Sequence, residues 1–272
     1  MPSPTQITVS QLSRLVGLPD CPTVLDVRID EDFAADPRII PGAVRQPFDQ
    51  IGRLAGMLGG SKTVVVCHKG LKLSQGAAAQ LRIHGIASET LEGGMVAWQE
   101  AGEPLIAVSK IPAVGPSAST LWVTRHRPKV DRIACPWLIR RFVDKNAQFL
   151  FVEPSQVMGV AERFGAVPFD VDGVFWSHRG EKCTFDTMVE EFGLQTPALA
   201  RLALIVRAAD TDNHDLAPQA AGLLAMSLGL SRMFRDDLAQ LEAGLAVYDA
   251  LYRWARDAHE EGHDWPSTTR SG

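Results

Sequence analysis

Residues 62–85 read KTVVVCHKGLKLSQGAAAQLRIHG. Thr63 to Val66 is a β-branched run of the kind that fills a strand buried on both faces of a parallel sheet. Leu73 to Ile83 carries a helical pattern, and Gly85 supplies a residue suited to ending a helix. Cys67 therefore falls at the carboxyl end of a strand and just ahead of a helix amino terminus. Open α/β sheets gather their ligands at that edge. Loop amides and the helix dipole there attract negative charge. Lys69 and Lys72 add positive charge, and Gly70 lets the loop turn tightly. The setting stabilises charge on sulfur and favours a nucleophile at Cys67 over an inert buried thiol.

Outward from this stretch, strands alternate with helices. Thr23–Val27 reads as a strand, Gln11–Val16 as a helix capped by Ser10, and Gln50–Leu58 as another helix. Glu89–Glu92 reads as a strand, and Met95–Ala101 as a helix stopped by Gly102. Residues 28–45 read as loop, with a Pro41-Gly42 turn signal. This alternation predicts an α/β domain with a parallel sheet over residues 1–105. Residues 106–120, IAVSKIPAVGPSAST, have linker composition. Residues 121–272 then form a helix-rich α+β domain. Its expected strands are Leu121–Thr124, Gln148–Val152 and Val174–Ser177. Its expected helices run from Arg132 to Val143, from Thr196-Pro197 to about Ala209, from Pro218 to Leu228, and onward from a Ser231 cap. The last helix carries an apolar stripe at Leu238, Leu241, Leu245, Tyr248 and Tyr252.

Composition narrows the function classes. With 272 residues, 46% of them hydrophobic, the chain can bury two cores. A net charge of −5 argues against bulk attraction to nucleic acid or an acidic membrane. The four cysteines, at 21, 67, 135 and 183, form neither a CxxC pair nor a dense framework, as expected of free thiols in a reducing compartment. No apolar run is long enough to span a bilayer, and the amino terminus lacks the pattern of a signal peptide. The expected location is cytoplasmic.

Four stretches resemble the rhodanese family of sulfurtransferases: LDVR at Leu25–Arg28, IPGAVR at Ile40–Arg45, CHKGLK at Cys67–Lys72, and LEGGMVAW at Leu91–Trp98. Their order and spacing match the family over about residues 5–105. The resemblance implies that Cys67 carries sulfur as a persulfide, drawn from a small-molecule sulfane-sulfur donor and passed to a thiol acceptor, with no cofactor required. Loop amides from Cys67 to Lys72 would stabilise the charged persulfide. The family's common CxxGxR loop has arginine where this chain has Lys72, so a bidentate fork is replaced by a point charge. A Cys-x5-Arg phosphatase would need arginine where Leu73 stands. His68 either tunes the thiolate or faces solvent. Asp26 and Arg28 either serve the loop or form an internal ion pair.

The second half concentrates charge of the opposite sign. Residues 121–145, LWVTRHRPKVDRIACPWLIRRFVDK, hold five arginines and two lysines against two aspartates, a net +5. Such a segment can hold a small oxyanion, pair with the acidic carboxyl-terminal half, or bind nucleic acid, the last being the weakest choice because no reading helix with interleaved aromatics is evident. Arg125, Lys129, Asp131, Arg132 and Cys135 are the candidates for an oxyanion or redox pocket, and a helix would place Asp131 and Cys135 on one face. Further on, FWSHRGEKCTFD (Phe175–Asp186) and AADTDNHD (Ala208–Asp215) carry metal-ligand residue types without a strict metal spacing. Were the two segments to meet, His178, Glu181, Asp210 and His214 could hold a first-row ion such as iron, manganese or zinc. Equally, the second segment can be an interhelical loop whose aspartates cap the next helix.

Residues 120–266 resemble the chromate-resistance domain that forms the carboxyl-terminal part of ChrB proteins. The residues that carry the likeness are WVTRHRPKVDRIACPWLIRRFVDKNAQFLFV, PFDVDGVFWSHRGEKCTFD and AADTDNHD. The resemblance implies a role connected with chromate. Two function classes follow: a persulfide enzyme coupled to chromate handling, and a chromate-responsive sensor with an accessory rhodanese. A third, structural class is a scaffold that oligomerises through its long amphipathic helix.

Overall fold

The computed structural model describes residues 5–54, 56, 58, 62–115 and 119–262. In the first half the elements run β1 (Gln6–Ile7), α1 (Val9–Ser13), β2 (Thr23–Asp26), α2 (Asp30–Ala35), β3 (Arg38–Ile39) and β4 (Val44–Arg45). Then come α3 (Ile51–Leu54), β5 (Thr63–Val66), α4 (Lys72–Ile83), β6 (Ser88–Leu91), α5 (Gly94–Glu100) and β7 (Ile106–Ala107). Five strands form a wholly parallel sheet in the order β1-β6-β5-β2-β4. All four residues of β5 are buried, as a central strand covered on both faces requires. Thr8, rather than Ser10, caps α1: its hydroxyl accepts from Gln11 N while the Gln11 side chain accepts from Thr8 N.

Residues 28–45 are more ordered than their composition suggests. They hold α2 and two short strands, and β3 pairs antiparallel with β7. The stretch of linker composition therefore begins as the partner strand of β3. Of the helix expected over 50–58, Ile51–Leu54 is helical, and residues 55 and 57 lie outside the described residues.

The second half is rich in helix. Strands β8 (Leu121–Arg125), β9 (Gln148–Val152) and β10 (Val167–Pro168) form a parallel sheet in the order β10-β8-β9. Helix α6 (Asp131–Leu138) continues into one π-helical turn, Ile139–Val143. Then follow α7 (Val157–Phe164), α8 (Thr184–Glu191), α9 (Pro197–Asp210), α10 (Ala220–Met233) and α11 (Asp237–Arg253). The third strand is thus Val167–Pro168 and not Val174–Ser177. The chain turns at Asp172-Gly173 and loops back, leaving Trp176 a single parallel bridge to Phe169. Ser231 lies within α10 and caps nothing. Its carbonyl and hydroxyl accept from Arg127, and Asp236 caps α11 instead.

One hydrophobic cluster runs through both halves, from Leu12, Val64, Leu91 and Trp98 to Trp137, Phe142, Leu202 and Tyr248. At Gly17 a methyl group would sit 2.3 Å from the Phe142 ring. Lys145 donates to the Thr23 hydroxyl at 2.7 Å, and Arg256 donates to the Arg14 carbonyl at 2.9 Å.

Candidate functional site

Cys67 follows β5 directly and is only 4% exposed. Its sulfur lies 3.2 Å from Ser74 Oγ, one turn into α4. The thiol is at the floor of a cavity of about 400 Å³ whose wall includes Asp32, His68, Lys69, Leu71 and Lys72. Among the described residues, no main-chain hydrogen bond takes up the N–H groups of His68, Lys69, Gly70, Leu71 or Lys72. Five successive donors are thereby left for an anion carried on the cysteine.

The loop is held by close backbone packing. Gly93 and Gly94, from the LEGGM stretch, adopt left-handed φ of 69° and 62°. Met95 N and Val96 N donate to the carbonyls of Cys67 and His68 at 3.0 and 3.1 Å. A Cβ on Gly94 would stand 2.2 Å from the Cys67 oxygen and 2.4 Å from Gly70 N. A Cβ on Gly70 would stand 2.6 Å from the Leu91 oxygen. The amino end of α5 and the cysteine loop can approach this closely because side chains are missing from both. Asp26 and Arg28 form the internal ion pair: Arg28 Nε donates to Asp26 at 2.9 Å, and the two side chains are 1–2% exposed. The Arg28 guanidinium also donates to the carbonyls of Asp36 and Arg38, so it ties α2 and β3 to β2.

A second polar centre lies at the carboxyl edge of the smaller sheet. Asp131 opens α6, Asp170 follows β10, His178 precedes α8, and Asp210 ends α9. His178 Nε2 is 3.3 Å from Asp170 Oδ1, 3.4 Å from Asp210 Oδ2 and 3.6 Å from Asp131 Oδ2. Asp131 is anchored by the first amides of α8, from Thr184 at 2.7 Å and Phe185 at 3.0 Å. Asp170 accepts from Thr184 Oγ1 at 3.0 Å on one oxygen. Its other oxygen meets Arg125 at 2.9 Å and Arg132 at 3.3 Å. Two residues here take left-handed φ without being glycine, Val130 at 36° and Asp170 at 54°. The first is clamped by Ser227 Oγ, which accepts from its N–H, and by Tyr248, whose hydroxyl donates to its carbonyl.

The electrostatics follow from burial and crowding. Burial, then Asp210 and Asp170, push the Asp131 carboxyl well above the ordinary carboxylate range. Burial would raise Asp170 too, but His178 and Arg125 outweigh it and hold that carboxyl low. Asp170 and then Asp210 raise His178 to about 10. Burial and then Asp131 push the Cys135 thiol well up, and Cys183 behaves alike.

The structure therefore divides the expected site residues. Cys67, His68, Lys69, Gly70 and Lys72 share the first loop. His178 and Asp210 meet, joined by Asp131, which the sequence reading assigned to an oxyanion pocket. Arg125 and Arg132 face the Asp170 carboxylate, and Lys129 is exposed. Cys135 is fully buried behind Asp131, its sulfur 3.8 Å from Asp131 Oδ1. Glu181 is exposed and stands outside the cluster. His214 does too, its ring 3.9 Å from Asp212. Sequence reasoning missed Asp170. PFDVDG places it directly after strand residues, at the sheet edge where ligands gather, and that was the available signal.

Comparison with known proteins finds two families along the chain. The model of the rhodanese-like domain matches residues 8–101, and that of the ChrB C-terminal domain matches residues 122–255. Protein ChrB of Cupriavidus metallidurans strain CH34 is 34% identical over 159 residues, which is 56% of this chain and 46% of that protein. The chain thus spans less than half the length of the curated relative it matches. Among solved structures, a rhodanese-like domain protein from Staphylococcus aureus is 31% identical, covers 35% of this chain and 90% of its own, and has a TM-score of 0.31. A thiosulfate sulfurtransferase from Pseudomonas aeruginosa is 28% identical, covers 38% of this chain and 19% of its own, and has a TM-score of 0.32. The chain carries a rhodanese-like domain with a parallel sheet, followed by a helix-rich ChrB C-terminal domain. No helix among the described residues is long and apolar enough to cross a membrane.

Proposed function

We propose that this protein is a sulfurtransferase in which Cys67 accepts sulfane sulfur as a persulfide and passes it to a thiol. The Cys67 thiolate attacks the outer sulfur of a donor such as thiosulfate. The donor's S–S bond breaks, and sulfite departs with the electron pair. The resulting Cys67–S–S⁻ gives its terminal sulfur to an acceptor thiolate or cyanide, and Cys67 returns as thiolate. The observation that carries this reading is the unengaged run of N–H groups from His68 to Lys72 around a cysteine on a cavity floor. Ser74 Oγ, now 3.2 Å from the sulfur and 3.2 Å from the Leu71 carbonyl, is placed to donate to the thiolate by turning its hydroxyl. The 34% identity to a ChrB protein supports a chromate-related setting for this sulfur chemistry.

The test is transfer of sulfur from thiosulfate to cyanide. Cys67→Ser is expected to fall to the uncatalysed rate, and mass spectra of the thiosulfate-treated wild type should gain one sulfur that the variant does not. Wild-type turnover in the variant would end the persulfide reading.

A further inference from the structure

We propose that Asp131, Asp170 and His178 form a binding site for a divalent first-row metal ion, held by two carboxylate oxygens and one imidazole nitrogen, with Asp210 set against the same imidazole from outside the ligand group. The residues come from four separated segments, yet one oxygen of each carboxylate faces the same nitrogen. The separations are 3.3, 3.4 and 3.6 Å. They exceed the length of a good N–H···O hydrogen bond, about 2.7–3.2 Å. For Asp170 and Asp131 they fall near the edge, about 3.3–3.6 Å, of a tetrahedron of donors around an ion bound at about 2.0–2.2 Å, and a donor atom from each of Asp131, Asp170 and His178 lies within 4.8 Å of the others. An octahedral magnesium site at about 2.1 Å would bring the donors to about 3.0 Å. Carboxylate and imidazole donors suit zinc, manganese or iron(II).

The surroundings are those of a prepared site. Each buried carboxylate is oriented from behind. Asp131 is fixed by two α8 amides, and Asp170 turns Oδ2 to Arg125 and Arg132 while Oδ1 stays with Thr184 and His178. Such outer partners set ligand direction in metal sites. The His178 side chain is 40% exposed, which gives an ion a route from solvent.

A separate observation comes from beside the cluster. Thr124 is wholly buried, and its hydroxyl has no hydrogen-bond partner. It shares a face of β8 with Trp122, whose ring packs on Phe169 and Trp176, the neighbours of Asp170 and Ser177. The β8–β10 register, Val123 opposite Pro168, brings Thr124 beside Phe169, the residue before Asp170. A buried hydroxyl without a partner is costly, and it points to a group that completes the site.

The experiment uses the full chain after chelator treatment, titrated with Co²⁺ and then Zn²⁺. We expect one Co²⁺ per chain with the intense visible bands of a four-coordinate ion, lost on adding Zn²⁺. His178→Ala, which removes a ligand, should weaken Zn²⁺ binding measured calorimetrically by about 100-fold, and Asp210→Asn, which removes the partner of the imidazole, by about 10-fold. Their far-ultraviolet circular dichroism and urea-unfolding midpoints should match wild type, which shows the variants folded. No binding at millimolar Co²⁺ and Zn²⁺, or equal affinity in wild type and variants, overturns the site.

Discussion

The cysteine loop and the aspartate–histidine cluster both sit at the carboxyl edge of a parallel sheet, but they are assembled in opposite ways. The loop is a contiguous hexapeptide, Cys67–Lys72, braced by one other short stretch, Gly93–Gly94. The cluster draws single residues from positions 131, 170, 178 and 210. Backbone shape makes the first: amides left unpaired and glycines that admit close approach. Side-chain cross-linking makes the second, where each charged group is held by a neighbour from another element. A local device is sensitive to backbone substitutions. A dispersed device is sensitive to removal of the anchors that join its elements.

The contrast breaks most sharply at Gly94. Gly94→Ala places a methyl group 2.2 Å from the Cys67 oxygen, against backbone that cannot yield, at a φ of 62°. The expected cost is about 3 kcal/mol or more by urea unfolding. Sulfur transfer should fall with it while Zn²⁺ binding of the folded fraction stays unchanged.

On the other side, Asp131→Ala removes two hydrogen bonds from the first turn of α8. Relief of the crowding with Asp170 and Asp210 offsets part of that loss, leaving an expected cost of about 2 kcal/mol in the same assay. Sulfur transfer by the folded protein should be unaffected. A neutral result would show that α8 is positioned by its apolar packing alone.

The smallest expected effect lies at Lys72. Lys72→Arg restores a guanidinium fork at the mouth of the Cys67 cavity. A fall of about threefold in KM for thiosulfate with kcat unchanged is expected, since a rim charge acts mainly through binding at less than about 1 kcal/mol. A changed kcat would place this side chain in the transition state instead.

The same contrast governs what could be read before any coordinates. The β5 strand, the α4 helix and the loop between them were legible because periodicity, turn glycine and chemistry all fall within two dozen residues. Gln148–Val152 and the Thr196-Pro197 helix start were legible for the same reason. Errors arose where a local signal had a competing use. Ser231 looks like a cap but serves Arg127, and the β-branched and aromatic residues around Trp176 look like a strand but pack as a single bridge. Residues 28–45 look like loop because β3 is completed by a partner some 70 residues away, at Ile106–Ala107.

By itself the sequence determined the parallel sheet of the first half, the position of Cys67 at its edge, and the helix-rich character of the rest. Those properties depend on residue type within one or two turns of chain. Only the tertiary structure decided that Asp131 belongs with His178 and Asp210, that Asp170 joins them, that Glu181 and His214 stand apart, and that Arg125 and Arg132 face a carboxylate of their own chain. Apart from Asp170 and His178, which are eight residues apart, these are contacts between elements about 30 to 80 residues apart. They are settled by which helix faces the packed core turns toward the sheet edge, and no spacing along the chain records that choice.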